Sequence, residues 1–160
     1  MGKVMRYQVA DYLDVGAASA DFALMGAGFN SLNEATGAKS ETTTYISDKA
    51  SSTYIKGYET EFSFDTDLIV DEEAISFIYD VARNQRTGSD AETDYVRVEL
   101  FSPVAGSDNT YKARKFCVCV EVAQINGEGA GALKITGSLK GRGDFTDGSF
   151  NTQTRTFTAC

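Results

Sequence analysis

The sequence predicts a mainly β protein, a two-sheet β-sandwich or barrel with one flanking α-helix. Stretches in which apolar and polar residues alternate, the period of a strand with one buried face, recur along the 160 residues. Only one stretch has the 3.6-residue spacing of an amphipathic helix. Fifteen glycines against one proline, together with ten phenylalanines and eight tyrosines, suit short strands joined by tight turns. The length is typical of one domain.

The first part of the chain predicts an arm followed by the start of that domain. Residues 1–20 contain a short apolar–polar piece and then a run of small residues, so we interpret them as an N-terminal arm outside the core. Residues 21–160 form the single β domain, which opens with short strands over 22–25 and 29–32.

Residues 36–53 are polar, rich in threonine and serine, and long for a connection inside a compact domain. We predict a long loop there. Because residues 42–45 have strand propensity, the segment could also be an extended hairpin standing off the body.

The middle of the chain predicts one strand and then the helix. Tyr54–Asp65 alternates, with Phe62 and Phe64 on the apolar face. Asp71 is a plausible N-cap residue, and Gly88 is a stop signal after the helix. The apolar helix positions between them are Ala74, Ile75, Ile78, Val81 and Ala82.

The remaining sequence predicts strands and turns. Strands are expected over 96–100, 116–122, 133–139 and 154–158. Between the last two, Asp147-Gly148 predicts a turn flanked by Phe145 and Phe150.

Charge and composition narrow the possible functions. Fifteen Lys and Arg against 23 Asp and Glu give a net charge of −8, which disfavours a long-lived complex with DNA or an anionic membrane. No apolar run reaches the roughly 20 residues of a membrane helix. The absence of histidine removes the commonest general base and metal ligand. We therefore expect no enzymatic activity, no cofactor, no metal and no membrane partner.

Four local patterns could suggest a binding site, and each has a simpler explanation. The carboxylates over 65–73 do not fit an EF-hand loop, because Ile69 and Val70 occupy ligand and glycine positions. Gly127–Gly131 precedes a strand pattern, so it predicts a hairpin turn, not a phosphate loop. Arg142-Gly143-Asp144 is ordinary turn chemistry. Cys117 and Cys119 would share one strand face, where they cannot bridge each other, and we expect reduced thiols.

The tyrosines in and beside the long polar segment are the candidate contact residues. Tyr45, Tyr54 and Tyr58 could anchor a protein interface or stack on sugars, and Ile46 joins them as a candidate contact. A sugar platform without tryptophan is the weaker hypothesis. A monomeric carbohydrate-binding or adhesion module nevertheless remains an alternative.

Several runs, taken in their order and spacing, resemble the tail tube (major tail) proteins of long-tailed bacteriophages, over residues 28–158. They are Gly28–Leu32, Gly57–Glu59, Phe62–Asp65, Ala74–Tyr79, Arg86–Thr93, Leu133–Gly137 and Gly143–Phe150.

This resemblance implies a tail-tube-like β domain whose copies form stacked hexameric rings around a channel for the genome. It implies self-association, contacts with tape measure, distal tail and terminator proteins, assembly in the bacterial cytoplasm and residence in the virion tail. It carries over no catalytic residue. In the family, terminal arms and the long loop make ring-to-ring contacts, which would place residues 1–20 and 36–53 at those contacts. The inner tube of a contractile injection or type VI-like system is a close alternative.

The charge of the chain agrees with such a conduit. A basic bore would hold DNA by counterion release, whereas an acidic bore repels it over about 8 Å and leaves it free to slide. We therefore expect an acidic lumen and transient DNA passage without tight binding.

Overall fold

Strands dominate the structure. The computed structural model describes residues 2–16 and 18–160, so residues 1 and 17 of the predicted arm lie outside the described residues. The described part contains one α-helix, α1 (Glu73–Arg83), and short 3-10 turns at Arg6–Gln8 and Gly88–Ala91. The strands are β1 (Val9–Asp14), β2 (Phe22–Leu24), β3 (Phe29–Ala35), β4 (Ala38–Thr43), β5 (Ser52–Tyr58), β6 (Glu61–Asp67), β7 (Glu92–Pro103), β8 (Thr110–Asn126), β9 (Lys134–Gly141), β10 (Thr146–Asn151) and β11 (Thr156–Ala159).

Nine of the strands form one antiparallel sheet in the order β2-β1-β7-β8-β9-β6-β3, with β10 and β11 branching from β8. The β4–β5 hairpin is a separate two-stranded sheet. The predicted class, mainly β with one flanking helix, is confirmed. Among the described residues the large sheet does not close into a barrel.

The long strand β8 connects the two parts of the large sheet. Its first half, residues 110–115, pairs with β10, and residues 111–119 pair with β7. Its second half, residues 118–126, pairs with β9. β8 therefore pairs with three different strands along its length. This allows the sheet to fold over a core.

The main core lies between α1 and the inner faces of both parts of the sheet. Three aromatic rings from β6, β7 and β8 pack together. The Tyr95 ring is tilted against the Phe62 ring (centroids 4.5 Å apart), and the Phe116 ring lies edge-to-face with it (4.9 Å). The helix buries the apolar stripe that its spacing predicts, formed by Ala74, Ile75, Ile78 and Val81. At about 1.5–3 kcal/mol for each large apolar side chain, this burial holds the helix in place.

A second core lies on the other face of β1, β2 and β7, beneath the β10–β11 hairpin. Phe150 packs against Tyr12 and Phe22, with ring centroids 4.5 Å and 5.7 Å away. Val96 and Val98 are fully buried in the same cluster. β7 is therefore buried on both faces.

The arm prediction is wrong for residues 9–14. They form β1, which pairs with residues 95–99 of β7, and Leu13 is fully buried in the main core. The partner strand lies more than eighty residues away, so no local pattern marks β1 as core.

The strand predicted over Tyr54–Asp65 is two strands in different sheets, β5 and β6. Glu59 donates its N–H to Gly37 O (2.9 Å) and Thr60 O accepts from Gly141 N (2.9 Å). These bonds turn the chain from the hairpin into the large sheet.

The predicted turn at Asp147-Gly148 and the predicted helix N-cap at Asp71 are also wrong. The Asp147-Gly148 turn lies inside β10, where a Cβ on Gly148 would approach Thr158 O to 2.2 Å. This glycine permits close strand approach instead of a turn. Asp71 is not the N-cap, because the helix begins at Glu73 with Glu72 as the cap residue.

Of the two structures predicted for the polar segment 36–53, a long loop or an extended hairpin, the segment forms the hairpin. It contains β4, a connection over residues 44–51 and the first residues of β5. No helix among the described residues combines the length and the apolar character needed to cross a bilayer.

Candidate self-association surface

The β4–β5 hairpin stands off the body and exposes both faces. Residues 38–42 and 52–56 are all exposed, and the ladder pairs Ala38 with Tyr58 and Thr43 with Ser52. Thr42 and Thr53 hydroxyls lie 3.0 Å apart across the strands. Because neither face packs on the core, the ladder itself and its side-chain pairs hold the hairpin.

The tip of the hairpin presents two large apolar side chains to solvent. Tyr45 is 70% exposed and Ile46 is 109% exposed. A turn fixes them: Tyr45 N donates to Asp48 Oδ2 (2.9 Å), and Asp48 N donates to Tyr45 O (2.9 Å). Tyr45 and Ile46 therefore form a small exposed apolar pair at the projecting tip, where another chain could cover both side chains.

The other two predicted contacts lie along β5. Tyr54 is 51% exposed, and its hydroxyl donates to Glu41 Oε2 at 2.9 Å across the hairpin. Tyr58 is 66% exposed at the end of β5 nearest the body. All four predicted residues thus lie on one hairpin; their contacts with another chain stay a prediction.

The base of the hairpin is fixed by Gly37. Its φ is +61°, and a Cβ there would lie 2.0 Å from Glu59 O. Only glycine fits this close approach. The direction in which the hairpin leaves the body therefore depends on this one residue.

A groove of about 600 Å³ lies beside the hairpin base, and sequence reasoning missed it. Tyr58, Phe116 and Phe145 contribute aromatic side chains to it. Arg114 lies over the Phe116 and Phe145 rings (5.2 Å and 5.5 Å) and holds Glu34 through two bonds, of 2.9 Å and 3.1 Å. These residues come from β3, β5, β8 and the β9–β10 connection, so no single run of sequence predicts the groove.

A buried charged network ties the N-terminal turn to the sheet. Asp11 is only 2% exposed and accepts from Arg6 Nη2 (2.5 Å) and from the Tyr95 hydroxyl. Arg97 lies 3.5 Å from Asp11 and 3.6 Å from Glu34 on β3. Burial, followed by the nearby charge of Asp11, raises the pKa of Tyr95 well above its usual value, so its hydroxyl stays protonated and donating. The network crosslinks β1, β3 and β7.

The three cysteines are not bridged in the structure, and their reduced state stays a prediction. Cys117 and Cys119 are partly exposed and unbridged, and Cys160 is exposed. Burial, then the charges of Asp94 and Glu92, raises the pKa of the Cys117 thiol. The part of the chain described by the structure contains no cluster of three or more potential metal ligands.

Comparison with solved structures gives several matches, and two of them cover almost the whole chain. A chain from the tail of an empty GTA (gene transfer agent) particle, determined by helical refinement with C6 symmetry, superimposes with a TM-score of 0.61; the match covers 98% of this chain and 100% of that chain at 11% identity. This chain shares its fold with phage-like tail subunits. A chain from the six-fold symmetrised baseplate of the anti-feeding prophage (AFP) matches with a TM-score of 0.51 over 96% and 99% at 6% identity. At these identities the likeness concerns the fold.

By sequence, no family model and no curated protein matches. The fold implied by the resemblance to tail tube proteins is confirmed by the structural likeness alone.

Proposed function

We propose that this protein is a structural subunit of a phage-like tail tube, in which six copies close into a ring and the rings stack into a conduit for DNA. The observation that carries the proposal is the end-to-end likeness to a chain from a C6-symmetric tail. A match that leaves almost no residue of either chain uncovered supports the same kind of role in an assembly.

The surface of the subunit supports a role in self-association. A ring needs a heterologous contact that closes by rotation, and rings that stack need a second contact along the axis. The exposed edges of the large sheet suit the first kind of contact, because unpaired strand edges join to other strands. The projecting hairpin, with Tyr45 and Ile46 at its tip, suits the second.

The work of such a subunit is mechanical, and we propose no catalytic role. The charge of −8 supports the acidic conduit: DNA passes without being held. Under this proposal the protein resides in the particle tail and contacts other tail proteins at the two ends of the tube.

The baseplate likeness supports a second candidate, the inner tube of a contractile injection system. The two candidates share the ring and differ in what surrounds it. Cryo-electron microscopy of the native particle separates them, because a contractile system carries a sheath around the tube.

The test is electron microscopy of the purified protein over a range of concentrations. We expect six-fold rings, or tubes made of them. A protein that stays monomeric at every concentration, or that binds glycans as a monomer, contradicts the proposal and supports the carbohydrate-binding alternative.

A variant with an altered hairpin tip, Tyr45→Ser/Ile46→Ser, tests the stacking contact. Both side chains are exposed, so the fold should be retained while stacking is weakened. Tubes of unchanged length in this variant would remove the tip from the stacking contact.

A further inference from the structure

We propose that Arg6 is an autoinhibitory contact: in the free subunit it covers the edge of β3, and it must withdraw before a second copy of this chain can pair a strand there. The inference rests on the proposed tube function and deepens it, because it names a residue that regulates self-association. Its effect is to raise the concentration at which subunits assemble.

The contact is made by one side chain that joins two strands. Arg6 Nη2 donates to Asp11 Oδ2 on β1 (2.5 Å) and to Leu32 O on β3 (3.3 Å). Arg6 Nη1 donates to Val9 O (2.8 Å), which fixes the guanidinium group in this position. We call these three contacts the Arg6 clasp.

The clasp reaches the large sheet at its last strand. Among the described residues, β3 ends the strand order and its one ladder partner is β6, so its other edge is unpaired. A strand of another copy that joined this edge would use the free carbonyl groups of β3 as hydrogen-bond acceptors. Because the Arg6 guanidinium holds Leu32 O, the closed clasp and an added strand exclude each other at this position.

A groove of about 870 Å³ lies beside the clasp and offers space for the side chains of an added strand. Val9, Phe29 and Leu32 contribute apolar groups to its lining. Arg6 and Tyr7 also line it, so withdrawal of the turn that carries them would widen the groove next to the β3 edge.

The turn that carries Arg6 is held by polar contacts and not by the core. Residues 2–7 are exposed, and the Arg6 side chain is itself 51% exposed. Met5 N donates to Gln8 Oε1 (2.7 Å), and Gln8 N donates to Met5 O (2.9 Å). Exposed chain ends with few buried contacts open at a low cost in free energy. The clasp can therefore open while the core stays folded.

The strands beneath the clasp have other contacts that keep them in place. Asp11 retains the hydroxyl of Tyr95 as a donor and the charge of Arg97 at 3.5 Å. Glu34 holds β3 to β7 and β8 through Arg97 (3.6 Å) and Arg114 (2.9 Å). Opening of the clasp consequently exposes a strand edge that is already formed.

Arg6→Ala tests the clasp, because it removes all three contacts. Arg83→Ala is the matched control: it makes the same charge change at an exposed position in the last turn of α1. Sedimentation velocity over a dilution series, with electron microscopy of the same samples, gives the concentration at which half of the subunits are assembled.

We expect Arg6→Ala to reach half assembly at a concentration about tenfold lower than the unmodified protein, because it has no clasp contacts to give up. Arg83→Ala should assemble at the concentration of the unmodified protein. An Arg6→Ala protein that needs the same or a higher concentration overturns the proposal. An equal decrease in Arg83→Ala also overturns it, since the effect would then come from net charge.

The same series separates the clasp from the function on which it rests. If the unmodified protein forms rings and Arg6→Ala assembles no more readily, the clasp alone is refuted. If the unmodified protein and Arg6→Ala both stay monomeric at every concentration, the tube function and the clasp are both refuted.

A second variant covers the case in which circular dichroism shows that Arg6→Ala is not folded. Gln8→Ala removes the acceptor of Met5 N, which fixes the turn, and leaves both Arg6 and Asp11 in the chain. It should also lower the concentration of half assembly. An unchanged concentration for this variant contradicts the proposal.

Discussion

At the scale of single residues, Tyr95 makes stability depend on alkaline pH. Its pKa is raised above the ordinary 10.0 by burial and then by the charge of Asp11. Below about pH 10 both the folded and the unfolded chain keep the phenol protonated. As the pH rises further the unfolded chain ionises first, so the free energy of unfolding falls.

Tyr95→Phe tests this dependence. It should flatten the decline of the melting temperature above about pH 10, measured by circular dichroism. At neutral pH it should lower stability by about 1–3 kcal/mol, because buried Asp11 loses a donor. Tyr7→Phe, at a side chain 79% exposed, is the control and should keep the slope of the unmodified protein. Equal slopes in all three proteins would contradict the role of Tyr95.

Gly37 makes a second single-residue prediction. Gly37→Ala must relieve a 2.0 Å approach to Glu59 O at a positive φ, so we expect a loss of about 1–3 kcal/mol or a displaced hairpin. Gly57→Ala in the same hairpin is the matched control, because its Cβ meets nothing within 4 Å, and it should be close to neutral. Chemical denaturation measures both. A Gly37→Ala protein as stable as the control, with an unmoved hairpin, would refute the packing argument.

At the scale of elements, α1 is stabilised by its buried face more than by its ends. Ile78→Ala should cost about 2–5 kcal/mol, because it leaves a cavity at a fully buried position. Arg83→Ala, exposed in the last turn of the same helix, should cost less than about 0.5 kcal/mol. Urea unfolding of the two variants checks the difference, and similar losses would contradict it.

The hairpin is expected to be separable from the core. Replacing residues 42–53 with Asn-Gly joins Glu41 to its ladder partner Tyr54 through a two-residue turn. The melting temperature should change little, since the removed segment contributes nothing to either core cluster. Tube growth, followed by light scattering and microscopy, should stop. Unfolding of the variant would show that the segment belongs to the core.

Sequence predicted the elements whose pattern is local, and missed those defined by distant partners. The alternation of Phe62 and Phe64 and the stripe through Ile75 and Ile78 are each visible within a few residues, and the structure confirms them. β1 is core only because β7 lies beside it.

Sequence likewise identifies some residues of the candidate site and misses others. The exposed tyrosines of the hairpin stand out in a polar run, so sequence identifies them. The aromatic groove under Arg114 depends on how the strands pair, because its residues come from separate strands. Gly148 shows a further limit: the same residue type serves a turn or a close strand approach, and only the neighbouring strand decides which.

At the scale of the whole molecule, the net charge of −8 should keep the proposed tube from holding DNA. We expect assembled protein to retain no DNA on a filter, even at low salt, because there is no excess of basic groups to release counterions from the phosphates. Filter binding at increasing salt is the measurement. Retention at low salt that falls as the salt rises would contradict the acidic conduit.

The second core has a consequence for how the subunit is made. Tyr12 and Phe22, near the beginning of the described chain, are covered by Phe150, near its end. While the chain is still emerging from the ribosome, these early aromatic side chains have no cover until the β10–β11 hairpin has been synthesised. The second core consequently cannot form before the segment that carries Phe150 has left the ribosome, and until then its apolar surface favours aggregation.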